Sequence, residues 1–150
     1  MAPQNAFQTL LGLETLSLRM KKHVSNARKI ANWLEQHPKI DKVTYAGLKS
    51  SKYYDLAKSL LPKGAGALFT ISLNEGYEAC IKMINKLNLF SHVSNLGDTR
   101  SLIIHPASTV HRQLTEQQQI NAGLAPNVIR LSIGIEDPKD LIDDLKQALE

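Results

Sequence analysis

Residues 128–135, Val-Ile-Arg-Leu-Ser-Ile-Gly-Ile, decide the fold of this 150-residue chain. Successive side chains of a strand point to opposite faces. Four apolar residues therefore share one face: Ile129, Leu131, Ile133 and Ile135. Asp137 and Pro138 follow as the N-cap and first residue of a closing helix. That helix carries apolar residues at helical spacing: Leu141, Ile142, Leu145 and Leu149. The sequence predicts a buried strand packed against a C-terminal helix.

The chain ahead of this strand alternates short strands with short helices. Strands are predicted at residues 43–45, 68–73, 90–96 and 101–105. Helices are predicted at residues 52–61, 77–87 and 116–122, the last capped by Thr115. A tight turn at Gly97-Asp98 joins two of the strands into a hairpin. Residues 39–150 thus predict a two-layer α/β domain, with a small mixed or antiparallel sheet and helices on one face.

Residues 6–36 predict one long helix that ends at His37-Pro38, because a residue before proline avoids the α region. Its C-terminal part carries a single apolar stripe: Leu16, Met20, Val24, Ala27, Ala31 and Leu34. Its first half is apolar nearly all round: Phe7, Leu10, Leu11, Leu13, Leu16 and Leu18. Such a segment is buried on more than one side, so we expect that a neighbouring domain is missing or that the chain dimerises here.

The composition, 43% hydrophobic and 21% charged, is that of one globular domain. Cys80 is the single cysteine, which excludes an internal disulfide and favours a reducing, cytoplasmic setting. No signal peptide or membrane span precedes Glu14.

Residues 1–63 hold 11 basic and 4 acidic residues. Their lysines are not interleaved with aromatic residues, so a solvated helix face is favoured over nucleic-acid binding.

Arg130 is the most informative polar residue. Strand alternation turns it away from the apolar face, beside Ser132 and Gly134. A guanidinium held by a rigid strand can grip a carboxylate with two parallel hydrogen bonds. The alternative is a structural ion pair, and the pattern leaves the two equal. Asn95 precedes a turn, where it serves either turn formation or the same ligand as Arg130.

No self-sufficient catalytic constellation is present. His105 and His111 lack further ligands at a spacing that zinc requires. Ser94, His105 and Asp98 could form a triad, but no Gly-x-Ser-x-Gly elbow accompanies them. The segment 63–66, Lys-Gly-Ala-Gly, matches neither a P-loop nor a dinucleotide fingerprint.

Three stretches carry a family resemblance. They are Ser-Asn-Leu-Gly-Asp-Thr-Arg-Ser-Leu-Ile-Ile-His-Pro-Ala-Ser-Thr-Val-His (94–111), Arg-Leu-Ser-Ile-Gly-Ile-Glu-Asp (130–137) and Leu-Pro-Lys-Gly-Ala-Gly (61–66). The stretches 2–7 and 12–20 fit the same pattern. The chain resembles the C-terminal domain of the Cys/Met-metabolism family of pyridoxal-phosphate (PLP) enzymes. The Asn-Leu-Gly-Asp-Thr-Arg-Ser-Leu run is most similar to O-acetylhomoserine sulfhydrylases; other members usually carry Ser where Asn95 stands.

The resemblance implies the small domain of a fold-type-I PLP enzyme. Arg130 would bind the substrate α-carboxylate, with Asn95 and Ser94 beside it. Gly97, Thr109 and Val110 would belong to an active-site loop, although Val110 stands where relatives commonly have Thr. The implied reaction is γ-replacement, in which sulfide displaces acetate from O-acetylhomoserine and gives homocysteine.

Parts of the family's active site have no counterpart here. The Schiff-base lysine, the phosphate cup and the other large-domain groups that hold PLP are absent, so no catalytic residue is assigned. We therefore expect a fragment, about the last third of a subunit, that is inactive alone and oligomeric when complete. Two alternatives stay open: a stand-alone carboxylate-binding or assembly module, and a cystathionine synthase or lyase or a methionine γ-lyase of the same family.

Overall fold

The computed structural model describes all residues, 1–150. Its six helices are α1 Pro3–Glu14, α2 Leu16–Glu35, α3 Tyr54–Leu60, α4 Gly76–Lys86, α5 Glu116–Asn121 and α6 Pro138–Leu149. Its five strands are β1 Ile40–Thr44, β2 Leu68–Leu73, β3 Ser91–His92, β4 Leu102–Ile104 and β5 Val128–Ser132. A 3-10 turn, Pro106–Ser108, follows β4. The predicted α/β class and the closing helix are confirmed.

The five strands form one mixed sheet in the order β1-β2-β5-β4-β3. Every neighbouring pair is antiparallel except β3 and β4, which run parallel. Strand β5 is central and pairs with β2 on one side and β4 on the other. Its backbone groups are therefore engaged on both edges, which holds its side chains in fixed directions.

The two faces of β5 differ as the alternation predicts. Ile129, Leu131 and Ile133 are at most 1% exposed and share a core with helices α2, α4 and α6. The opposite face carries Arg130, which lies between Thr70 of β2 and Ile104 of β4. The 3-10 turn packs against β5. Ile104 is paired with Arg130 on this face and is 2% exposed, so the second face is partly covered.

The predicted single helix over residues 6–36 is wrong: the structure divides it at Thr15. Thr15 has φ −101° and ψ 0°, outside the helical region. The Arg19 guanidinium folds back across this break, donating to the Gly12 carbonyl at 2.5 Å and to the Thr15 hydroxyl at 3.3 Å. A side chain thereby satisfies a carbonyl group at the end of α1, as helix ends require.

The predicted hairpin around Gly97-Asp98 is also wrong. Ser91 pairs with Leu102 in a parallel register, and only two residues of the expected strand 90–96 are extended into the sheet. The polar groups of the residues between β3 and β4 do not pair across a hairpin. The Gly97 N–H donates to Ser132, and Asp98 accepts from Arg100. These contacts replace the cross-strand ladder that a hairpin would need.

Helix α1 has no buried residue. Leu10, Leu11 and Leu13 are 61%, 47% and 53% exposed, and Leu16 at the start of α2 is 38% exposed. Farther along α2 the predicted apolar stripe is buried, as Ala27, Ala31 and Leu34 show. The dense apolar segment predicted to need a second covering surface therefore lies open. None of the helices combines the length and apolarity needed to cross a membrane.

A buried carboxylate anchors α6 to the end of α4. Asp144 is 6% exposed, and its two oxygens accept the backbone N–H groups of Asn88 at 2.9 Å, Leu89 at 2.8 Å and Phe90 at 3.4 Å. Gln147 donates to the same carboxylate at 3.1 Å. Asp144 therefore satisfies N–H groups of the segment after α4, which leaves that segment docked on the closing helix.

Asp144→Ala should lower the free energy of unfolding by about 3 kcal/mol, because three backbone N–H groups lose their acceptor away from water. Asp143→Ala is the matched control, since Asp143 is the exposed neighbour on the same helix. It should change stability by less than about 0.5 kcal/mol. Urea unfolding of both variants measures the difference, and equal effects would contradict the anchoring role.

Gly134 lies where two backbone segments approach closely. A Cβ at this position would stand 2.6 Å from the Arg100 carbonyl carbon and would also overlap the Thr99 carbonyl oxygen. Backbone atoms cannot move aside as the end of a flexible side chain can. Gly12, in contrast, is exposed in α1, and a Cβ added there would meet nothing within 4 Å.

Gly134→Ala should therefore destabilise the protein by about 1–3 kcal/mol. Gly12→Ala should raise stability by about 0.5–1 kcal/mol, because alanine favours the helix over glycine. Chemical denaturation of the two variants compares them directly. A Gly134→Ala protein as stable as the wild type would refute the close approach.

Candidate functional site

Arg130 lies in the middle of the central strand and is half-buried. The ion pairs within 4.0 Å in this protein are Lys39–Glu75 and Arg100–Asp98, so Arg130 has no carboxylate partner. Its side chain also makes no hydrogen bond to another residue. The structural ion pair that the sequence left open is therefore not formed. A half-buried guanidinium without a partner is the group expected where an anion binds.

The loop of residues 94–98 is tied to the same strand. The Gly97 N–H donates to the Ser132 hydroxyl oxygen at 3.2 Å. Ser132 is two residues after Arg130, so both side chains lie on one face with Cα atoms about 7 Å apart. Gly97 has φ +77°, in the left-handed region that favours glycine. The structure thus places the predicted loop residue Gly97 beside the strand that carries Arg130.

Asn95 presents one free end of its amide. Its Oδ1 accepts the Leu96 N–H at 2.9 Å, while its Nδ2 group donates to nothing in the protein. The side chain is exposed. Turn formation uses the oxygen, and the two N–H donors of Nδ2 have no acceptor within the protein. Ser94, its neighbour, is exposed and makes no side-chain hydrogen bond.

An internal ion pair stiffens the far side of this loop. Arg100 donates to Asp98 from its guanidinium at 3.0 Å and from its backbone N–H at 3.0 Å. These hydrogen bonds hold the pKa of Asp98 at about 2. Asp98 is therefore ionised at neutral pH, and its charge is matched locally by Arg100.

A buried polar junction follows the loop. Ser101 is fully buried, accepts the Gly134 N–H at 2.8 Å and donates to Glu136 at 3.0 Å. The Ser101 N–H donates to the other Glu136 oxygen at 2.6 Å. The Ile135 N–H donates to the Thr99 carbonyl at 2.9 Å. Residues 99–101 are therefore locked to the chain just after β5.

Helix α2 joins this junction from the other side. His23 is 2% exposed, and its Nδ1 lies 2.6 Å from the Ile133 carbonyl oxygen, to which it donates. Asn26 is 1% exposed and donates to the carbonyls of Gly134 at 3.1 Å and Glu136 at 2.8 Å. Buried polar groups of α2 thereby fix the segment that leads from β5 to α6.

His105 is buried and bonded on both ring nitrogens. Its Nε2 donates to the Pro126 carbonyl at 2.7 Å, and its Nδ1 lies 2.9 Å from the Ser108 hydroxyl. Burial lowers the pKa of His105, so the ring is neutral at neutral pH. Since Ser108 and Arg100 are the partners of His105 and Asp98, the triad of Ser94, His105 and Asp98 is not assembled.

The other predicted loop residues follow the 3-10 turn. The Thr109 hydroxyl donates to the His105 carbonyl at 2.7 Å, which occupies it within the loop. Val110 is 49% exposed. The 3-10 turn that precedes them contacts β5. The structure gives neither residue a contact with Arg130.

The chain offers little for metal or covalent chemistry. No group of three or more His, Cys, Asp or Glu side chains is placed to hold a metal ion. Cys80 lies fully buried in the core, and burial raises the pKa of its thiol to about 12. No lysine is buried. A Schiff-base lysine is activated by desolvation or by a strongly charged neighbour. No lysine of this chain is desolvated by burial.

Comparison with known proteins identifies the class. Residues 1–150 match the Cys/Met metabolism PLP-dependent enzyme family over their full length. The chain belongs to that family, and the predicted resemblance is confirmed. The family is PLP-dependent, and its relatives act in methionine and homocysteine metabolism.

Individual relatives narrow the comparison. The O-acetyl-L-homoserine sulfhydrylase of Leptospira meyeri is 47% identical over 150 residues, 99% of this chain and 34% of that protein. An L-methionine gamma-lyase of Fusobacterium nucleatum subsp. nucleatum is 41% identical over 150 residues, all of this chain and 38% of that protein. A putative O-acetylhomoserine (thiol)-lyase structure from Campylobacter jejuni, with a pyridoxyl-lysine phosphate, superposes with a TM-score of 0.92 at 47% identity, covering 99% of this chain and 35% of that one.

This chain thus spans about a third of the length of the relatives it matches. The sequence analysis predicted Arg130 and Asn95 as site residues and assigned no role to Ser132, Ser101 or Glu136. Strand alternation could have drawn attention to Ser132, which shares a face with Arg130. The Ser101–Glu136 contact joins residues 35 apart in sequence and leaves no local pattern.

Stability should fall as the pH drops below about 6.5, the ordinary pKa of histidine. His105 has a lowered pKa in the folded protein, so the unfolded state binds its proton first. The stabilisation is fully present above the unfolded pKa and is lost as the pH falls through the folded pKa. His105→Gln should therefore flatten the difference in unfolding free energy between pH 7.5 and pH 5.

His37, whose pKa is also lowered by burial, contributes in the same direction in the wild type and in His105→Gln. Its effect therefore cancels when the two are compared. His92→Gln is the control, because His92 is exposed and only adds a repulsion to His105. It should leave most of the pH dependence in place. A His105→Gln protein with the wild-type pH dependence would refute the assignment.

Proposed function

We propose that this chain is the substrate-carboxylate-binding part of a PLP-dependent O-acetylhomoserine sulfhydrylase, with the fold of the small domain of fold-type-I enzymes. The observation that carries the proposal is Arg130: a half-buried guanidinium in the central strand, with no acidic or hydrogen-bonding partner. Desolvating a charge without a partner is unfavourable, so such a group is typical of a site completed by an anionic ligand.

Arg130 would hold the α-carboxylate through two parallel N–H···O bonds, which fix both the position and the plane of that group. Asn95 would add an N–H donor from the facing loop, since its Nδ2 group is free. Ser94, Gly97, Thr109 and Val110 would border the same space. Fixing the carboxylate sets the orientation of the bonds at the substrate Cα, which decides which of them reacts.

The cofactor would be held outside this chain. PLP supplies the electron sink that makes bonds near the substrate Cα labile. No lysine of residues 1–150 is buried, so none fits as its covalent anchor. In the proposed γ-replacement, acetate leaves O-acetylhomoserine and sulfide takes its place. We assign residues 1–150 the binding and orientation of the substrate and no turnover of their own.

The open apolar face supports a large domain as partner. Leu13, Leu16 and Met20 line a groove of about 1050 Å³ together with the loop of residues 61–66. The relatives are about three times as long as this chain, so most of their length lies outside the matched part. A PLP-binding domain of the same enzyme would cover this groove, and the complete enzyme would assemble as a homo-oligomer.

Asn95 favours the sulfhydrylase over other members of the family. The L-methionine gamma-lyase relative is 41% identical, so a lyase reaction is the second candidate. The Asn-Leu-Gly-Asp run at residues 95–98 is the feature that resembles sulfhydrylases, whereas lyases and cystathionine synthases usually carry Ser at the position of Asn95. The product formed, homocysteine or methanethiol, separates the two reactions.

The test is a chimera in which residues 1–150 replace the matching third of the Leptospira meyeri sulfhydrylase. It should form homocysteine from O-acetylhomoserine and sulfide. Arg130→Ala should raise KM strongly and lower kcat/KM by about 30-fold or more, since losing a charge-assisted bidentate contact costs about 2–5 kcal/mol. Arg130→Lys should also be poor, because an ammonium group cannot reproduce the planar fork.

Arg28→Ala is the control, because Arg28 is exposed on α2, away from the sheet face that bears Arg130. Its kinetics should match those of the unsubstituted chimera. Unchanged kinetics for Arg130→Ala would overturn the carboxylate assignment. Methanethiol from methionine, with no homocysteine, would favour the lyase.

A further inference from the structure

Ser132 carries the single hydrogen bond that joins the loop of residues 94–98 to the rest of the protein. Its hydroxyl oxygen accepts the Gly97 N–H at 3.2 Å. The other hydrogen bonds of this loop stay local: Asn95 bonds Leu96 and Val93, and Asp98 bonds Thr99 and Arg100. Thr99, directly after the loop, is held by the Ile135 N–H, so within residues 94–98 the tie to β5 rests on the Ser132 side chain.

Ser132 is itself held firmly. It is 5% exposed and lies in the strand that is hydrogen-bonded on both edges, opposite Leu68 of β2 and Leu102 of β4. Its β4 partner Leu102 is 1% exposed, so this part of the strand lies in a packed environment. A short side chain on a rigid strand places its oxygen with little freedom, unlike the exposed loop that it holds.

We propose that Ser132 is a positioning residue of the candidate carboxylate site: by holding the Gly97 N–H, it sets the Asn95 amide opposite the Arg130 guanidinium. This inference rests on the proposed function, because it assumes that Arg130 and Asn95 share one carboxylate. Ser132 and Arg130 are two residues apart on one strand face, so the strand that presents the cation also fixes the distance to the second donor.

The hydroxyl oxygen is the essential atom. Ser132→Ala removes the acceptor and leaves the Gly97 N–H unpaired, so the loop loses its tie while the core face of β5 is untouched. Ser132→Thr keeps the oxygen and should preserve the tie. Ser72→Ala is the matched control: Ser72 lies on the same sheet face in β2, opposite Val128, and its hydroxyl bonds nothing in the protein.

The experiment titrates acetate into the isotopically labelled chain and follows two NMR signals, the Arg130 Nε–H and the Asn95 Nδ2–H₂. In the wild type both signals should shift with one common Kd. In Ser132→Ala the Arg130 signal should still shift, the Asn95 signal should not, and Kd should rise about tenfold. Ser132→Thr and Ser72→Ala should behave as the wild type.

The outcomes separate the two hypotheses. If Arg130→Gln leaves the acetate titration unchanged, the proposed function fails and the positioning role fails with it. If Arg130 is required but Ser132→Ala keeps the common Kd and the Asn95 shift, only the positioning role is overturned. If Ser132→Ala does not fold, Ser132→Thr decides, because a folded Thr variant whose Asn95 signal does not respond contradicts the role of the hydroxyl.

Discussion

Strand β5 is hydrogen-bonded along both edges, and this double pairing constrains the rest of the structure. Because neither edge is free, the strand cannot shift register without losing bonds to β2 and β4 at once. Its apolar side chains must therefore face the helices, and Arg130 must face the other way. The burial of the apolar side chains of β5 and the direction of Arg130 are both consequences of this one backbone arrangement.

The end of β5 is fixed by polar contacts. His23 and Asn26 bond the carbonyls of residues 133, 134 and 136, and Ser101 with Glu136 ties the preceding loop to the same segment. Buried polar groups that are nearly all satisfied specify one arrangement, because any shift leaves a donor or acceptor unpaired away from water. Helix α2, which also carries the open apolar surface, is thus bonded directly to the chain that follows the candidate site.

The sequence predicted those parts of the fold that depend on local periodicity. Alternation over residues 128–135 predicted the two faces of β5, although the strand ends at Ser132 and Ile135 lies outside the buried core. Asp137 with Pro138 predicted the start of α6. The break at Thr15 was missed because no proline marks it and a contact from Arg19 stabilises it. The parallel pairing of β3 with β4 was missed because Gly97 and Ser101 bond to Ser132, Gly134 and Glu136 instead of forming a hairpin between these strands. In the candidate site Arg130 followed from alternation, and Asn95 gained weight only from the family resemblance; the loop contact of Ser132 depends on tertiary structure.

The proposed carboxylate site would be divided between a rigid strand and an exposed loop, and this division has a physical rationale. The strand would supply the charged Arg130 guanidinium, whose direction is fixed before the ligand binds. The loop would supply the neutral Asn95 amide, a weaker donor whose position can adjust as the ligand enters. Arg130 alone would attract many anions; adding the Asn95 amide at a set distance favours a planar carboxylate with a defined orientation. In the proposed site the loop would be exposed and still selective, because the Gly97 N–H is bonded to Ser132 of the strand that bears the cation.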